Sequence, residues 1–541
     1  MIQRRDWLRT RATIDPESLA LIDAPADAQW SYGELDAAVA VLAGRLSSFG
    51  VRPGDRVGVL VPAGVPFVKL VFAAMRLGAV LVPFDTRLAD PERAARCQLV
   101  DPAVLVATGT TVGDALAVAR DTPVVLLDSD SGEDSPDTPT NEDSPSNEDS
   151  PPNKDSPPNE DSPNLPADGD AYELSSIDPS PFDSHCWQQD DPLCILFTSG
   201  TTGEPKAVVL TAGNVHASAT ASAFRLGVLP ADRWLLCLPT YHMGGLAPIY
   251  RSTLYGTTVV LQPFDPTAVS RAIDTYDVSG ISLVPTTLRR LLDADAPLAQ
   301  LRFVLVGGAR TPPALVERSL DRDVPLFPTY GMTETASQIA TARPVDAAED
   351  PTTVGRPLVC TTVSVCDADG EPLPRGAVGE LVVAGPTVTP GYVGDEEATD
   401  RAFGPHGFHT GDVGYLASDG QVHVRGRLDD RLVTGGENVH PTEVERVLRE
   451  HPDVNDVAVV GLDDAEWGQR VSALIVPVAD GTLRADQIEL FCGDRLADYK
   501  RPRTIGFAGE LPRTTSGTVD RGAVRDRLAT GETDGDGRDV R

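Results

Sequence analysis

Apolar positions along the chain alternate between two periods, and the alternation predicts an architecture. Ser31 followed three residues later by Glu34 is a capping-box signature, after which Leu35, Val39, Leu42 and Leu46 recur at helical spacing until Gly50. RVGVLV (56–61) predicts a strand, FVKLVFAAMRLG a helix and AVLVPF (79–84) a second strand. The rhythm returns further on. Strands at WLLCL, TTVVL, GISLV, FVLVG and VPLF are separated by helices near 244–255, 266–276, 286–292 and 312–320. Such alternation predicts an α/β fold in which mainly parallel sheets are flanked by helices.

In open parallel sheets ligands bind beyond the carboxyl ends of the strands. Four of those ends run into PTYHMGG (239–245), PTT (285–287), GGAR (307–310) and PTYGMTETAS (328–337). Turn chemistry alone does not require these sequences, so they are read as the walls of one site. From about residue 350 short strands and glycine turns (VSVCDADGEPL, GELVVAGP, GQVHVRGR) predict a barrel-like β subdomain. Beyond GRLDDRLVTGGENVHPTEVE, a helix (443–451), strands (456–460, 470–476), another helix (484–496) and a final strand predict a small, mobile α+β domain. The expected layout is an N-terminal domain over 1–428, a C-terminal domain over 429–528 with its boundary at Asp429, and a frayed tail over 529–541. Residues 141–164 read NEDSPS, NEDSPP, NKDSPP, NEDSPN, with nothing apolar to bury. The stretch 129–185 is therefore expected to be a largely disordered insert.

Charge narrows the function. The formal net charge of −34 excludes partners that are themselves polyanionic, nucleic acids and anionic membranes above all. Lysine occurs only at positions 69, 154, 206 and 500. An acid excess with so little lysine resembles halophilic archaeal proteins, whose surface repulsion is tolerable where salt shortens the screening length to about 3 Å. The seven cysteines contain no C-x-x-C pair and are expected to be buried free thiols. No run approaches the ~18 apolar residues of a membrane span and MIQRRDWLRT lacks the apolar core of a secretion signal, so a cytoplasmic protein is expected.

The segment ILFTSGTTGEPKAVVL (195–210) sets an apolar run against Thr198, Ser199, Gly200, Thr201, Thr202 and Gly203, followed by Lys206. Inward-pointing donors, close-approaching glycines and one cation suit a phosphate. The Walker spacing is absent, since Glu204 and Pro205 intervene before the lysine, which disfavours a P-loop kinase or ATPase. A hydroxyl-rich hairpin turn explains the glycines but not the lysine.

TSGTTGEPK, YGMTET (330–335), TGD (410–412), GRLDDRLVTGGENV (426–439) and LPRTTSG (511–517) stand in the order and approximate spacing of the adenylate-forming superfamily of acyl-CoA synthetases, luciferases and peptide-synthetase adenylation domains, which the chain resembles over nearly its whole length. The resemblance implies that a carboxylate attacks the α-phosphate of ATP, and that coenzyme A then displaces AMP. It implies phosphate binding by Thr198 through Lys206, Mg2+ on Glu334, and a contact from Thr333 to the α-phosphate. It implies adenine against Tyr330 and Gly331, ribose hydroxyls on Asp412, and Arg427 near ribose and phosphate. Asp429 would be the hinge about which Gly435 and Gly436 swing in to admit the pantetheine arm. Where the superfamily has L-P-R-T-x-x-G-K, this chain has Thr518 in place of the lysine; Arg513, Arg521 or Lys500 are the cations that could substitute.

SLVPTTLRRLL, LVGGAR and YGMTETASQI are most similar to o-succinylbenzoate-CoA ligases of menaquinone biosynthesis. By that likeness His242 lines the acyl pocket, Gly307 and Gly308 leave space for a planar ring, and Arg251 or Arg310 holds a second carboxylate. A medium-chain or aryl acyl-CoA ligase remains open, as does a nucleotide-binding pseudoenzyme given Thr518. Homo-oligomerisation is compatible with either.

Overall fold

Helix Tyr32–Phe49 begins as its sequence predicts: Ser31 Oγ accepts from the Glu34 amide at 3.2 Å, and Glu34 Oε2 accepts from the Ser31 amide at 2.7 Å. Such a cap is worth about 1 kcal/mol. The helix stops at Gly50, whose φ of +115° is open to glycine. The computed structural model describes residues 6–127, 171–199, 205–428, 432–478, 483–512, 519–531 and 538–539.

Among these residues the large N-terminal domain holds two helix-flanked sheets. One has nine strands, and its parallel core comprises Arg233–Leu236, Thr258–Leu261, Gly280–Leu283, Phe303–Val306 and Leu326–Met332. The other has seven strands and ends in an antiparallel hairpin, Pro192–Ser199 against Pro205–Thr211. Helix Val65–Leu77 is buried almost all round, because it lies between the sheets. The largest apolar cluster accordingly runs from Leu21, Val259 and Leu261 of one sheet to Val57, Leu81 and Leu196 of the other. A five-stranded antiparallel sheet, with strands Gly379–Ala384 and Gly407–Leu416 at its centre and Thr362–Cys366 at one edge, forms the β subdomain. The small C-terminal domain is built on the paired strands Val454–Asp464 and Gly468–Pro477. No helix of the described residues is long and apolar enough to cross a membrane.

Several expectations need correction. Residues 171–185 are ordered: Tyr172 and Glu173 pair with Val125 and Leu126, Leu174 is buried, and a Cβ on Gly78 would meet the His185 ring. The proposed insert thus ends sooner, and its part up to residue 170 lies outside the described residues. PTYGM is no loop: strand Leu326–Met332 runs through it and turns back at Thr333–Thr335 into strand Ser337–Thr341. A Cβ on Gly331 would lie 1.7 Å from the Ser337 carbonyl oxygen, so glycine is what allows the return strand to pack there. The C-terminal domain carries a further helix, Arg521–Thr530, and Arg538–Asp539 of the supposed tail pair with Thr504 and Ile505. Of the cysteines, Cys186 and Cys360 are exposed.

Candidate active site

The four strand-end sequences do share one edge of the nine-stranded sheet, because their strands are neighbours in the order 326–332, 303–306, 280–283, 233–236. Lys206 and Glu334 arrive from different sheets and meet at Tyr392. Lys206 Nζ stands 4.6 Å from the Tyr392 ring centroid, and the Tyr392 hydroxyl donates to Glu334 Oε1 at 3.4 Å. Segment Thr389–Val393 holds the two together. The Thr389 amide donates to the Glu334 carbonyl at 2.7 Å, and the Val209 amide donates to the Gly391 carbonyl at 3.0 Å. Glu334 is buried, yet no arginine or lysine pairs with it among the described residues. A lone buried carboxylate facing a lysine suits Mg2+, which takes one or two protein carboxylates and completes its shell with phosphate oxygens and water.

Thr198 pairs with Lys206, and Ser199 with Pro205, so the strands on either side of the hydroxyl-rich segment are antiparallel neighbours. Gly200, Thr201, Thr202 and Gly203 lie outside the described residues, as do Asp429, Arg513 and Thr518. The Tyr330 hydroxyl donates to Asp412 Oδ2 at 2.7 Å. Both residues line a cavity of about 510 Å³ together with Gly308, Gly331 and Arg310. The backbone of Arg427 pairs with that of Asp412. From the small domain Gly436, Val433 and Trp467 close the same cavity. Gly435 and Gly436 adopt φ of +58° and +86°, and a Cβ on Gly436 would press on Val284 at 3.1 Å. The VTGG turn therefore packs on the residue that follows strand Gly280–Leu283.

A second, narrow cavity of about 50 Å³ brings Thr198, His242 and Thr333 against Glu437, Tyr499 and Lys500 of the small domain. His242 Nε2 lies 2.8 Å from Glu437 Oε2, and Arg87 Nη2 donates to Glu437 Oε1 at 2.6 Å. Burial works against both charges of the first pair, but the pairing outweighs it. Glu437 is held at about 2 by His242 and Arg87, and the His242 imidazolium is held above its ordinary range by Glu437.

Arg251 and Arg310 are separated by burial. Arg310 is exposed at the rim of the large cavity, whereas Arg251, on helix Met243–Tyr255, is 2% exposed. Arg251 Nη2 donates to Ser218 Oγ at 3.1 Å, and Ser218 Oγ donates to the Ala336 carbonyl at 2.6 Å, two residues beyond Glu334. No carboxylate pairs with Arg251 among the described residues, and burial lowers its pKa. Gly307 backs onto Thr329, whose Cγ2 a Cβ would meet at 2.6 Å, which keeps the neighbouring strands in close register.

Two of the three cations named as substitutes for the missing lysine, Arg521 and Lys500, are engaged elsewhere. Arg521 Nη2 pairs with Glu445 Oε1 at 2.8 Å. Lys500 Nζ reaches Glu92 Oε1 and Glu443 Oε1, each at 2.6 Å. Sequence reasoning missed Tyr392, Arg87 and Glu437. Only Glu437 had a visible signal, since it follows the paired glycines directly.

Comparison with known families and proteins agrees with this geometry. The family model described as AMP-binding enzyme matches residues 8–393, and the one described as AMP-binding enzyme C-terminal domain matches 443–518. The 2-succinylbenzoate--CoA ligase of Bacillus licheniformis is 34% identical over 518 residues, covering 95% of this chain and 98% of its own. A double mutant of Bacillus subtilis o-succinylbenzoate CoA synthetase, bound to its product analogue OSB-NCoA, is 31% identical. The match covers 97% of this chain and 99% of that one with a TM-score of 0.84. The same enzyme in complex with the acyl-adenylate intermediate OSB-AMP has the same identity and coverage but a TM-score of 0.69. These relatives are bacterial, so the likeness to archaeal proteins finds no support among them.

Proposed function

Since the chain belongs to the AMP-binding enzyme family, we propose that this AMP-forming acid-thiol ligase converts 2-succinylbenzoate, ATP and CoA to 2-succinylbenzoyl-CoA, AMP and pyrophosphate. The observation that carries the chemistry is the meeting of Lys206 and Glu334 at Tyr392. A departing pyrophosphate needs positive charge at its oxygens, and Lys206 would supply it. Glu334 is the residue that would hold Mg2+, which would screen the phosphates during attack by the substrate carboxylate. Thr333, which lines the narrow cavity together with Thr198, would donate to the α-phosphate, and Thr198 would contact the β- and γ-phosphates. Asp412 and Tyr330 take the ribose and adenine, with Arg427 beside them.

The relation between the domains belongs to the second half-reaction. Gly436 against Val284 and Glu437 against His242 support a reading in which the small domain's backbone turn meets the acyl end of the cleft, where a pantetheine arm must arrive. The higher structural similarity to the OSB-NCoA complex than to the OSB-AMP complex supports the same assignment. Adenylation then requires a rotation of the small domain about a hinge at Asp429.

The choice of acid rests on Arg251. A buried guanidinium without an anionic partner is costly unless a ligand supplies one, and 2-succinylbenzoate carries a second carboxylate. His242, Gly307 and Gly308 would bound the ring. The test compares 2-succinylbenzoate with the same molecule lacking its aromatic carboxylate, in wild type and Arg251→Gln. Loss of selectivity for the dicarboxylate by about 30-fold or more is expected in the variant, the worth of a charge-assisted contact. Unchanged selectivity would redirect the reading to a medium-chain or aryl acid. The acidic, lysine-poor sequence supports a protein that works in a salt-rich cytoplasm.

A further inference from the structure

Glu380 is not among the residues expected to hold a ligand, yet it shapes the loop that carries Asp412. Strands Gly379–Ala384 and Gly407–Leu416 pair Glu380 with Val413 and Val382 with His409, four steps along one strand against two along the other. The surplus forms a bulge at Thr410–Asp412, a device that re-aims side chains beside active sites. It also removes the Gly411 amide from the ladder, and that amide needs an acceptor. Glu380 Oε1 accepts it at 2.9 Å, while Glu380 Oε2 lies 2.8 Å from His409 Nδ1. Thr410 completes the bulge: its hydroxyl donates to the Leu381 carbonyl at 2.7 Å and accepts from the Asp412 amide at 3.0 Å. The Gly411 carbonyl in turn accepts from the Leu428 amide at 2.8 Å. One carboxylate thus fixes the Thr410–Gly411 peptide, one residue before Asp412, and the Gly411 carbonyl holds the chain that leads towards Asp429.

We propose that Glu380 is a positioning residue for nucleotide selection, holding the bulge in the one conformation that presents Asp412 to the ribose hydroxyls. The proposal rests on the reading of Asp412 as the ribose acceptor. It implies that Glu380 governs discrimination between ATP and its deoxy analogues, because an ill-placed Asp412 loses the hydroxyl contacts that deoxy analogues already lack.

Steady-state kinetics with ATP, 2′-deoxy-ATP and 3′-deoxy-ATP test it, in wild type, Glu380→Ala, Glu380→Asp, Glu380→Gln and Asp412→Asn. Glu380→Ala should raise KM for ATP about tenfold and cut the kcat/KM preference for ATP over the deoxy analogues about as much, with KM for the acid unmoved. Glu380→Asp, which keeps the charge but is a methylene too short to reach Gly411, should behave alike and serves if the alanine variant does not fold. Glu380→Gln retains an acceptor and should restore most of the preference. If Asp412→Asn abolishes the preference while Glu380→Ala and Glu380→Asp leave it at the wild-type value, Glu380 has no positioning role. If Asp412→Asn itself leaves the preference intact, the ribose reading fails, and this proposal with it.

Discussion

His242 Nε2 and Glu437 Oε2, 2.8 Å apart, join the two domains at the narrow cavity that Thr198 and Thr333 also line. The pair exists only in this arrangement of the domains, so the protonation of His242 and the position of the small domain are coupled. In the closed state His242 is held above its ordinary value of about 6.5. Its contribution to closure is therefore complete below about pH 6.5 and fades as pH rises through the raised value. Glu437, held at about 2, contributes fully above its ordinary carboxylate range and would lose its share only in strong acid. Thioester formation from supplied acyl-adenylate should fall on the alkaline side in wild type. Glu437→Gln should slow that half-reaction about tenfold and flatten its pH profile, while pyrophosphate release is unaffected. An unaltered profile in Glu437→Gln would remove the coupling.

A second tie between the domains is better buried. Lys500 Nζ, 1% exposed, joins Glu92 of the large domain to Glu443 of its own, and the Ala497 amide also donates to Glu92 Oε2 at 2.8 Å. The proposed rotation for adenylation would separate Lys500 from Glu92. Lys500→Met leaves two carboxylates facing each other without their cation, and removing one member of a buried pair costs about 3–5 kcal/mol. Its expected signature is a loss of the compact domain arrangement in small-angle scattering and a fall of about 100-fold or more in thioester formation. A variant that scatters as wild type and forms thioester at the normal rate would show that the tie does not govern closure.

Thr518 stands where the superfamily has a lysine, and neither Arg521 nor Lys500 is free to replace it in this arrangement, since both are engaged by carboxylates. Thr518→Lys should accelerate pyrophosphate release, by roughly 30- to 1,000-fold if nothing else has taken over the lost charge. It should leave thioester formation from supplied acyl-adenylate unchanged. A variant with no gain in the first step would mean that adenylation here does not want a cation at this position.

The charge of −34 makes a prediction about stability. Self-repulsion is weakly screened in dilute buffer, where the Debye length is about 10 Å at 0.1 M, and strongly screened near 1 M. Tm should rise by at least about 5 °C between 0.1 and 2 M KCl. Scanning calorimetry in the two buffers decides it, and a Tm that is flat or falls with salt would contradict the salt-adapted reading.

Local patterns carried the elements well, and the strand-end sequences carried half of the site. Ser31, Glu34 and Gly50 delimit a helix whose ends follow from their own hydrogen bonds, so no tertiary information was needed. PTYGM was misread as loop because its strand status depends on the returning strand Ser337–Thr341, which proline and glycine composition does not announce. Residues 171–185 suffered from their neighbours: the repeat beside them is purely polar, while Leu174 packs into the large apolar cluster and His185 lies against Gly78, both far off in sequence. Tyr392, Arg87, Glu92 and Glu380 were invisible for one reason. Each acts through a residue distant in sequence, and neither periodicity nor spacing records such meetings.

The most direct measurement follows the purified protein, 2-succinylbenzoate, ATP, Mg2+ and CoA in one reaction, quantifying AMP, pyrophosphate and thioester together. Our account predicts acid-dependent release of pyrophosphate, one AMP for each 2-succinylbenzoyl-CoA, and loss of the first step in Lys206→Ala and Glu334→Gln. Nucleotide binding with no acid-dependent pyrophosphate release, for this or any other carboxylic acid, would contradict it and leave a nucleotide-binding protein without ligase activity.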